Sequence, residues 1–265
     1  MARTFLIGGV AAITSLASIG AVPAADMTAR QITESLYKAT DAAPLDFTRQ
    51  NLQGLDLAGL NFKKARLGQA DLFGADLSSA DLTSTDLHAA RLDRVNIIGA
   101  RFDNANLREA SILRPTSATS FEGNRSESAS FAGADLTKAR LFGIFTGSSF
   151  ANARMAGVSL APFSDSGFIE MLWRSRLDSA DLSGADLTGA DLTHVSLRFA
   201  NLKGAKLAGA KLKNADLSHA DLTGADVTGA DFSHADLDRA VLTGITGFES
   251  VSGLPSARNR DKAIN

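Results

Sequence analysis

The side chains best suited to hold a metal or move a proton are four histidines, His88, His194, His219 and His234, and a long series of aspartates. A histidine metal site needs its nitrogens about 2 Å from one ion. Acid–base work by carboxylates needs a pair facing each other across a cleft. Asp181, Asp186, Asp191, Asp216, Asp221 and Asp226 instead fall at multiples of five along the chain. Recurrence at one repeated place argues for a structural role. No H-E-x-x-H, P-loop, G-x-S-x-G or strand-following G-x-G-x-x-G occurs, and the G-G-x-G-x-D calcium repeat is absent. There is no cysteine, which removes disulfides, thiolate-bound zinc and thiol nucleophiles. Nothing gathers an acid, a base and a nucleophile, so no catalytic residue, metal ligand or cofactor is expected.

Charge is nearly balanced, 27 Lys and Arg against 29 Asp and Glu in 265 residues, so no nucleic-acid grip is implied. Arg198, Lys203, Lys206, Lys211 and Lys213 form a basic belt, followed by an acidic end of Asp216, Asp221, Asp226, Asp231, Asp236 and Asp238 opposed only by Arg239. The belt and end read first as ordinary solvated wall and second as an oriented docking surface. Phe163, Phe168 and Trp173 are the candidate partner contacts, because aromatic anchors dominate interfaces. Their simpler reading is sideways packing against the body of the fold.

Residues 1–25 carry one charge, Arg3, then an uncharged run closing on Ala21-Val22-Pro23-Ala24-Ala25. A basic start, an apolar middle and a small-residue exit predict a secretory signal peptide cleaved after Ala24 or Ala25. An uncleaved anchor is the alternative. Gly8, Gly9, Thr14, Ser15, Ser18 and Gly20 dilute the apolar run and favour cleavage, hence a periplasmic or secreted bacterial-type protein with no membrane contact afterwards.

The elements that position these groups follow from a period of five. Every fifth residue from Phe47 to Ile112 is large and apolar, including Leu72, Leu77 and Leu82. The same holds from Leu177 to Leu242, including Leu182, Leu187, Leu192, Leu202 and Leu207. Two places before each sits a mostly small residue, and between the two a polar one, commonly Asp. On a helix, five residues advance about 500°, so successive Leu would wind around the axis. On one long strand, an odd period would send alternate Leu to opposite faces. A short extended piece with Ala and Leu inward and Asp outward, followed by a corner, satisfies the pattern. The corners read Ser-Gly (183–184), Thr-Gly (188–189) and Thr-Gly (223–224), which is turn chemistry. The fold is therefore an all-β solenoid.

The units Ala-Asp-Leu-Ser-Gly (180–184) and Ala-Asp-Leu-Thr-Gly (185–189, 220–224) resemble the pentapeptide-repeat family, with its A-(D/N)-L-x-x consensus, over most of residues 45–248. The resemblance implies a right-handed quadrilateral β-helix with four pentads per coil. The pentads then make about nine coils and a rod roughly 40–45 Å long. On such a rod His194 and His234 share an edge, two coils apart with Asn214 between them. That is about 10 Å, too far for one ion. Some members of the family mimic duplex DNA and bind DNA gyrase. This chain departs from them in its export signal and its modest net charge.

The expected organisation is a signal peptide at 1–25, then an N-terminal capping helix at 26–43 with a Thr28-x-x-Gln31 capping box and Ile32, Leu36 and Ala39 on one face. A first repeat run follows at 44–114, broken by Pro115, and register-shifted repeats occupy 115–160. Residues 161–174 are an insertion with a short helix near 164–174. A second run covers 175–248, with Phe248 placed to plug the last coil, and 249–265 form an aperiodic, mobile tail. The expected function is a rigid protein-binding or scaffold module with an unidentified protein partner, including a homodimer through a solenoid end. The competing readings are a gyrase-interacting DNA mimic, a structural protein without a specific ligand, and an enzyme completed only at an oligomer interface.

Overall fold

The computed structural model describes residues 25–40, 42–117, 127–163 and 174–264. Residues 1–24 of the expected leader lie outside the described residues, as do Phe168, Trp173 and the expected helix of the insertion except Arg174. The backbone is stitched by parallel β-bridges between residues twenty apart: Asp181↔Asn201, Asp186↔Lys206, Asp191↔Lys211 and Ser196↔Asp216. Bridges recur every five residues, so each coil carries four and the cross-section is four-sided. The first face runs through Asp186, Lys206 and Asp226, and the second through Asp191, Lys211 and Asp231. The third carries Arg176, Ser196, Asp216 and Asp236, and the fourth Asp181, Asn201, Asp221 and Val241.

The pentad 220–224 shows why this sequence stacks. Asp221 N–H donates back to Ala200 O at 2.9 Å, while Leu222 and Gly224 N–H donate forward to Val241 O (2.8 Å) and Thr243 O (2.9 Å). Ala220 N–H closes the preceding turn onto Leu217 O at 2.9 Å. One donor remains, Thr223 N–H, and the Asp221 carboxylate accepts it at 3.0 Å. Every N–H of the unit is thus satisfied, as a tightly packed backbone requires. The side chain between Ala and Leu must carry an acceptor within two residues' reach, and Asp or Asn fits. Asn201 does the same for Lys203 N–H at 3.3 Å and Asn96 for Ile98 N–H at 3.2 Å.

Leu72, Leu77, Leu82, Leu182, Leu187, Leu192, Leu202 and Leu207 lie inside the tube at 1% exposure or less. Each such side chain contributes about 1.5–3 kcal/mol when fully buried. The alanines beside them, such as Ala185 and Ala205, are equally buried. Midway along, phenylalanines replace leucines: Phe131 lies between Phe102 and Phe150, stacked on each at 4.9 Å between centroids.

The spacing departs from twenty in this middle section and again in the last coil. Arg101 pairs with Ser130 and Ser111 with Arg140, twenty-nine apart. Ser130 pairs with Ser149, nineteen apart, and Ile144 with Arg176, thirty-two apart. The parallel strands β1 (Ser111–Leu113) and β2 (Arg140–Phe142) meet here. At the break, polar Ser117 takes a core place and gives its hydroxyl to Ile144 O at 2.6 Å. Residues 118–126 of the expected register-shifted stretch lie outside the described residues.

Helix α1 spans Ala29–Lys38, with Thr28 and Gln31 exchanging both capping-box bonds and Ile32 and Leu36 buried in the tube's core. Lys63 crosses from the first coils and donates its Nζ to Leu36 O and Ala39 O, both at 2.8 Å. A cation there also complements the helix dipole.

One expectation is corrected. The segment 249–264 is not an aperiodic tail but further coil: Thr246, Ser252, Arg258 and Ile264 pair with Asp226, Asp231, Asp236 and Val241. The unit has lengthened to six, because a 3-10 turn (Phe248–Ser250, Leu254–Ser256, Arg260–Lys262) fills each corner after a left-handed residue. Phe248 therefore opens a corner and does not end the rod. Among the described residues, no helix is long and apolar enough to cross a membrane.

Candidate functional site

On the regular walls the chemistry-bearing side chains serve the fold. The Asp226 carboxylate takes the hydroxyl of Thr228 at 2.6 Å and its N–H at 3.0 Å, and these bonds hold its pKa below the usual carboxylate value against the opposing push of partial burial. At Asp231 burial is the largest influence and pushes upward, yet the bonds from Ser233 with those from Ser252 and the charge of Lys213 leave the group lowered. The expected basic belt is largely neutralised by neighbouring coils: Lys203 pairs with Asp221 at 3.2 Å, Lys211 with Asp191 at 3.6 Å and Arg198 with Asp216 at 4.0 Å. The acidic end is opposed by more than Arg239, since the added coil brings Arg258 to Asp236 and Lys262 to Asp238, both at 3.5 Å.

The histidines do not converge. His88 Nδ1 lies 3.0 Å from Asp86 Oδ1, and His219 stacks on Phe199 at 4.7 Å. His194 and His234 share an edge with Asn214 between them, whose Nδ2 is 3.4 Å from His194 Nε2. Among the described residues no three His, Cys, Asp or Glu are grouped to hold a metal ion.

Two register breaks of the middle section lie where the second and third faces meet, between Arg140 and Ile144 and between Ser159 and Arg176, and the other lies at the next corner, between Thr116 and Ser130. Two places before the third-face residues the corner reads Arg94, Arg114, Arg174, His194, Asn214 and His234, and in the shortened pentad Gly143, one place before Ile144, takes that corner. Between the core residues Leu141 and Phe145 the pentad is one residue short, and the corner is cut back. Gly143 sits there at φ +150°, so close to the coil below that a Cβ would stand 2.9 Å from Pro115 Cδ. The result is a notch of about 600 Å³ floored by Pro115, Phe142, Gly143 and Ile144, with Arg114, Arg174 and Arg176 around it. Ile144 occupies an outward place usually held by Asp and is 42% exposed.

A second cavity of about 310 Å³ shares Arg174 and continues along the edge past His194, Asn214, His234 and Arg258. On the second face beside the notch, Arg140 gives its guanidinium to Ser159 Oγ at 3.2 Å and lies 3.9 Å over the Phe163 ring. Phe163 also meets Phe142 edge-on at 5.5 Å and remains 58% exposed. Of the three aromatic candidates it is the one described, and it packs on Phe142 of the notch floor while lining a separate cavity with Asp191, Lys211 and Lys213.

The shortened pentad was visible as a step of four between Leu141 and Phe145, but the cavity was not, because it needs the coil above and below. A second signal was also present: Arg91-x-Asp93, Arg101-x-Asp103 and Arg176-x-Asp178 each place Arg where Asp belongs and return an Asp two residues on. The two then pair, at 3.2, 3.2 and 2.9 Å.

The family pattern for pentapeptide repeats matches the chain in eight copies, over residues 45–78, 70–108, 174–209 and 205–244. No curated protein matches it. Among solved structures, the chain is similar to HetL, a pentapeptide repeat protein involved in heterocyst differentiation regulation from the cyanobacterium Nostoc sp., at 28% identity over 90% of this chain and 94% of that one, TM-score 0.43. It is similar to QnrB1, a plasmid-mediated fluoroquinolone resistance protein, at 18% identity over 80% and 92%, TM-score 0.35. A pentapeptide repeat protein of the Arabidopsis thaliana thylakoid lumen aligns at 21% identity over 62% and 87%, TM-score 0.20.

Proposed function

The chain belongs to the pentapeptide-repeat family, and from that premise we propose that it is an exported, non-enzymatic scaffold that binds a protein partner through its irregular edge. The observation that carries this reading is that two of the middle section's register changes fall on one corner, between the second and third faces, and open a notch there. On most regular rungs Asp and Asn cap backbone N–H groups and so serve the fold. In this reading the rod is right-handed with about nine coils, and α1 closes its first coil, since a bare solenoid end exposes strand edge and core. Residues 1–25 act as the export leader. Part-exposed Phe248, Val251 and Leu254 on the last coils leave room for a homodimer at that end.

A pull-down from periplasmic extract with immobilised protein, identified by mass spectrometry, tests the reading. A partner captured by the wild type and lost with Phe163→Ala supports it, provided the variant melts at the same temperature. Equal capture by a heat-denatured control counts against it. A gyrase supercoiling assay addresses the competing family role, which has less support because the irregular edge carries cations where a mimic of DNA presents anions. A mature N-terminus at Met1 would remove the export part alone.

A further inference from the structure

The corner between the third and fourth faces carries Gly147, Ser179, Phe199, His219 and Arg239, one per coil, and the N–H groups of the first four donate to the coil that follows. All five are left-handed, with φ between +55° and +69°. A bulky side chain is an outlier in that conformation. Among the described residues Phe199, at φ +57°, is the one large apolar side chain held there. Its ring is also 53% exposed. Strain and a wetted ring both work against stability, and such a double departure at one position is expected where function is selected.

The neighbours of Phe199 prepare it to receive a second ring. His219 on the next coil stacks on it at 4.7 Å with the planes 14° apart, close to the spacing of the coils themselves. The stack follows the rod's axis, so His219 covers one face of Phe199 and the other looks toward Ser179. There the corner carries Ser179 and then Gly147, and the ladder of rings stops at a residue too small to continue it. Cations stand on both sides of the ring pair. The Arg198 guanidinium lies 5.8 Å from the Phe199 centroid, and Arg239, one coil beyond His219, is exposed with no ion pair among the described residues. The carboxylates beside them on this corner, Asp178 and Asp238, are engaged by Arg176 at 2.9 Å and by Lys262 at 3.5 Å.

We infer that this corner is a second protein-binding surface, separate from the notch, which takes an aromatic side chain of a partner on the Phe199 ring at the level of Ser179 and a carboxylate of the same segment on Arg239. Aromatic rings and arginines carry most of the energy at protein interfaces and tend to meet their like on the partner. A ring added at the level of Ser179 extends the stack by one rung, and the Arg198 cation beside it favours the arrangement. The guanidinium of Arg239 selects a carboxylate. From Ser179 to Arg239 is three coils, roughly 14 Å, which is the span of about four extended residues. The recognised segment therefore has an aromatic residue followed about four places later by Asp or Glu.

The test is selection of random peptides of about twelve residues, displayed on phage, against the immobilised full-length protein, with the Phe199→Asn variant as counter-selection. The expected result is enrichment of peptides that share the aromatic residue and the acid at about that spacing. An enriched peptide, labelled for fluorescence anisotropy, should bind at least about tenfold more weakly to Phe199→Asn and be weakened also by Arg239→Glu. Phe163→Ala, beside the notch, leaves its affinity unchanged. Phe199→Asn keeps the melting temperature of the wild type, because Asn214 holds the same backbone conformation on another corner. Failure to enrich any peptide that depends on Phe199, enriched peptides without an aromatic residue, indifference to Arg239→Glu, or tighter Phe199-dependent binding of a single-stranded oligonucleotide would each overturn the inference. A melting temperature lowered by more than about 4 °C in Phe199→Asn would assign the ring to the fold and overturn it as well. Affinity lost with Phe163→Ala but kept with Phe199→Asn would place the peptide at the notch, leaving the scaffold reading standing and this inference fallen.

Discussion

Asp221 accepts two hydrogen bonds from Thr223, one from its backbone N–H at 3.0 Å and one from its hydroxyl at 2.5 Å. The first satisfies the one donor that stacking of the coils leaves over, and the second fixes the carboxylate that does so. Asp221→Ala should therefore destabilise the protein by about 1–2 kcal/mol, the scale of a hydrogen bond to a charged group. Asp221→Asn keeps the acceptor and should recover most of that loss. Urea unfolding of both variants checks the ranking, and equal losses would count against the capping role.

The same bonds set the acid limit of the fold. For Asp76, Asp135, Asp221 and Asp231 burial is the largest influence and raises the pKa, but hydrogen bonds and neighbouring charges outweigh it. For Asp46 and Asp226 the hydrogen bonds lead. All six end below the ordinary value. A carboxyl lowered in the folded state stabilises fully above its unfolded pKa, near 3.9, and that contribution is lost as pH falls through the folded value. Thermal stability should be level above about pH 5 and fall steeply below about pH 4. Asp221→Asn should fall less steeply, since the amide does not titrate. A melting temperature independent of pH in that range would contradict the assignment.

Much of this was legible in sequence because the period of five is uninterrupted from Phe47 to Ile112 and from Leu177 to Leu242. The aspartates were recognised as structural, but their partner was hidden. Finding it requires knowing which N–H the coil-to-coil ladder omits. The last coil was missed for a different reason. Ile245, Val251, Ala257 and Ala263 recur every six residues, but the series is short and follows a long run of fives, so it reads as loss of period. The notch escaped because a step of four shows only that a residue is missing, not which coils frame the gap.

The glycines of the corners divide into two kinds. At Gly189, φ is +63° and a Cβ would meet nothing within 4 Å. Ser179, His194 and Asn214 take the same conformation elsewhere, so Gly189→Asn should be nearly neutral and Gly189→Ala should cost about 1–2 kcal/mol. At Gly143 a Cβ would also press on Pro115 Cδ at 2.9 Å and Arg114 Cα at 3.3 Å. Gly143→Ala should lower stability more than Gly189→Ala, by about 2 kcal/mol or more. Reversal of that order would show that the notch is not closely packed.

Lys63 joins α1 to the first coils through two carbonyls at the end of the helix. Lys63→Met keeps the aliphatic stem and removes both bonds, so it should cost about 0.5–1.5 kcal/mol. Amide exchange in Ala29–Lys38 should accelerate while the central coils stay protected. Unchanged protection in α1 would exclude the tether.

The most direct test of the four-sided coil uses the absence of cysteine in this chain. Asp186 and Lys206 are bridge partners on one face, twenty residues apart, whereas Asp216 is only ten residues from Lys206 but on the opposite wall. Bridge partners about 4.8 Å apart lie within disulfide reach, and residues across the tube do not. The rate of disulfide formation under mild oxidation should be high in Asp186→Cys with Lys206→Cys and negligible in Lys206→Cys with Asp216→Cys. Equal rates, or faster closure of the shorter loop, would contradict the coil.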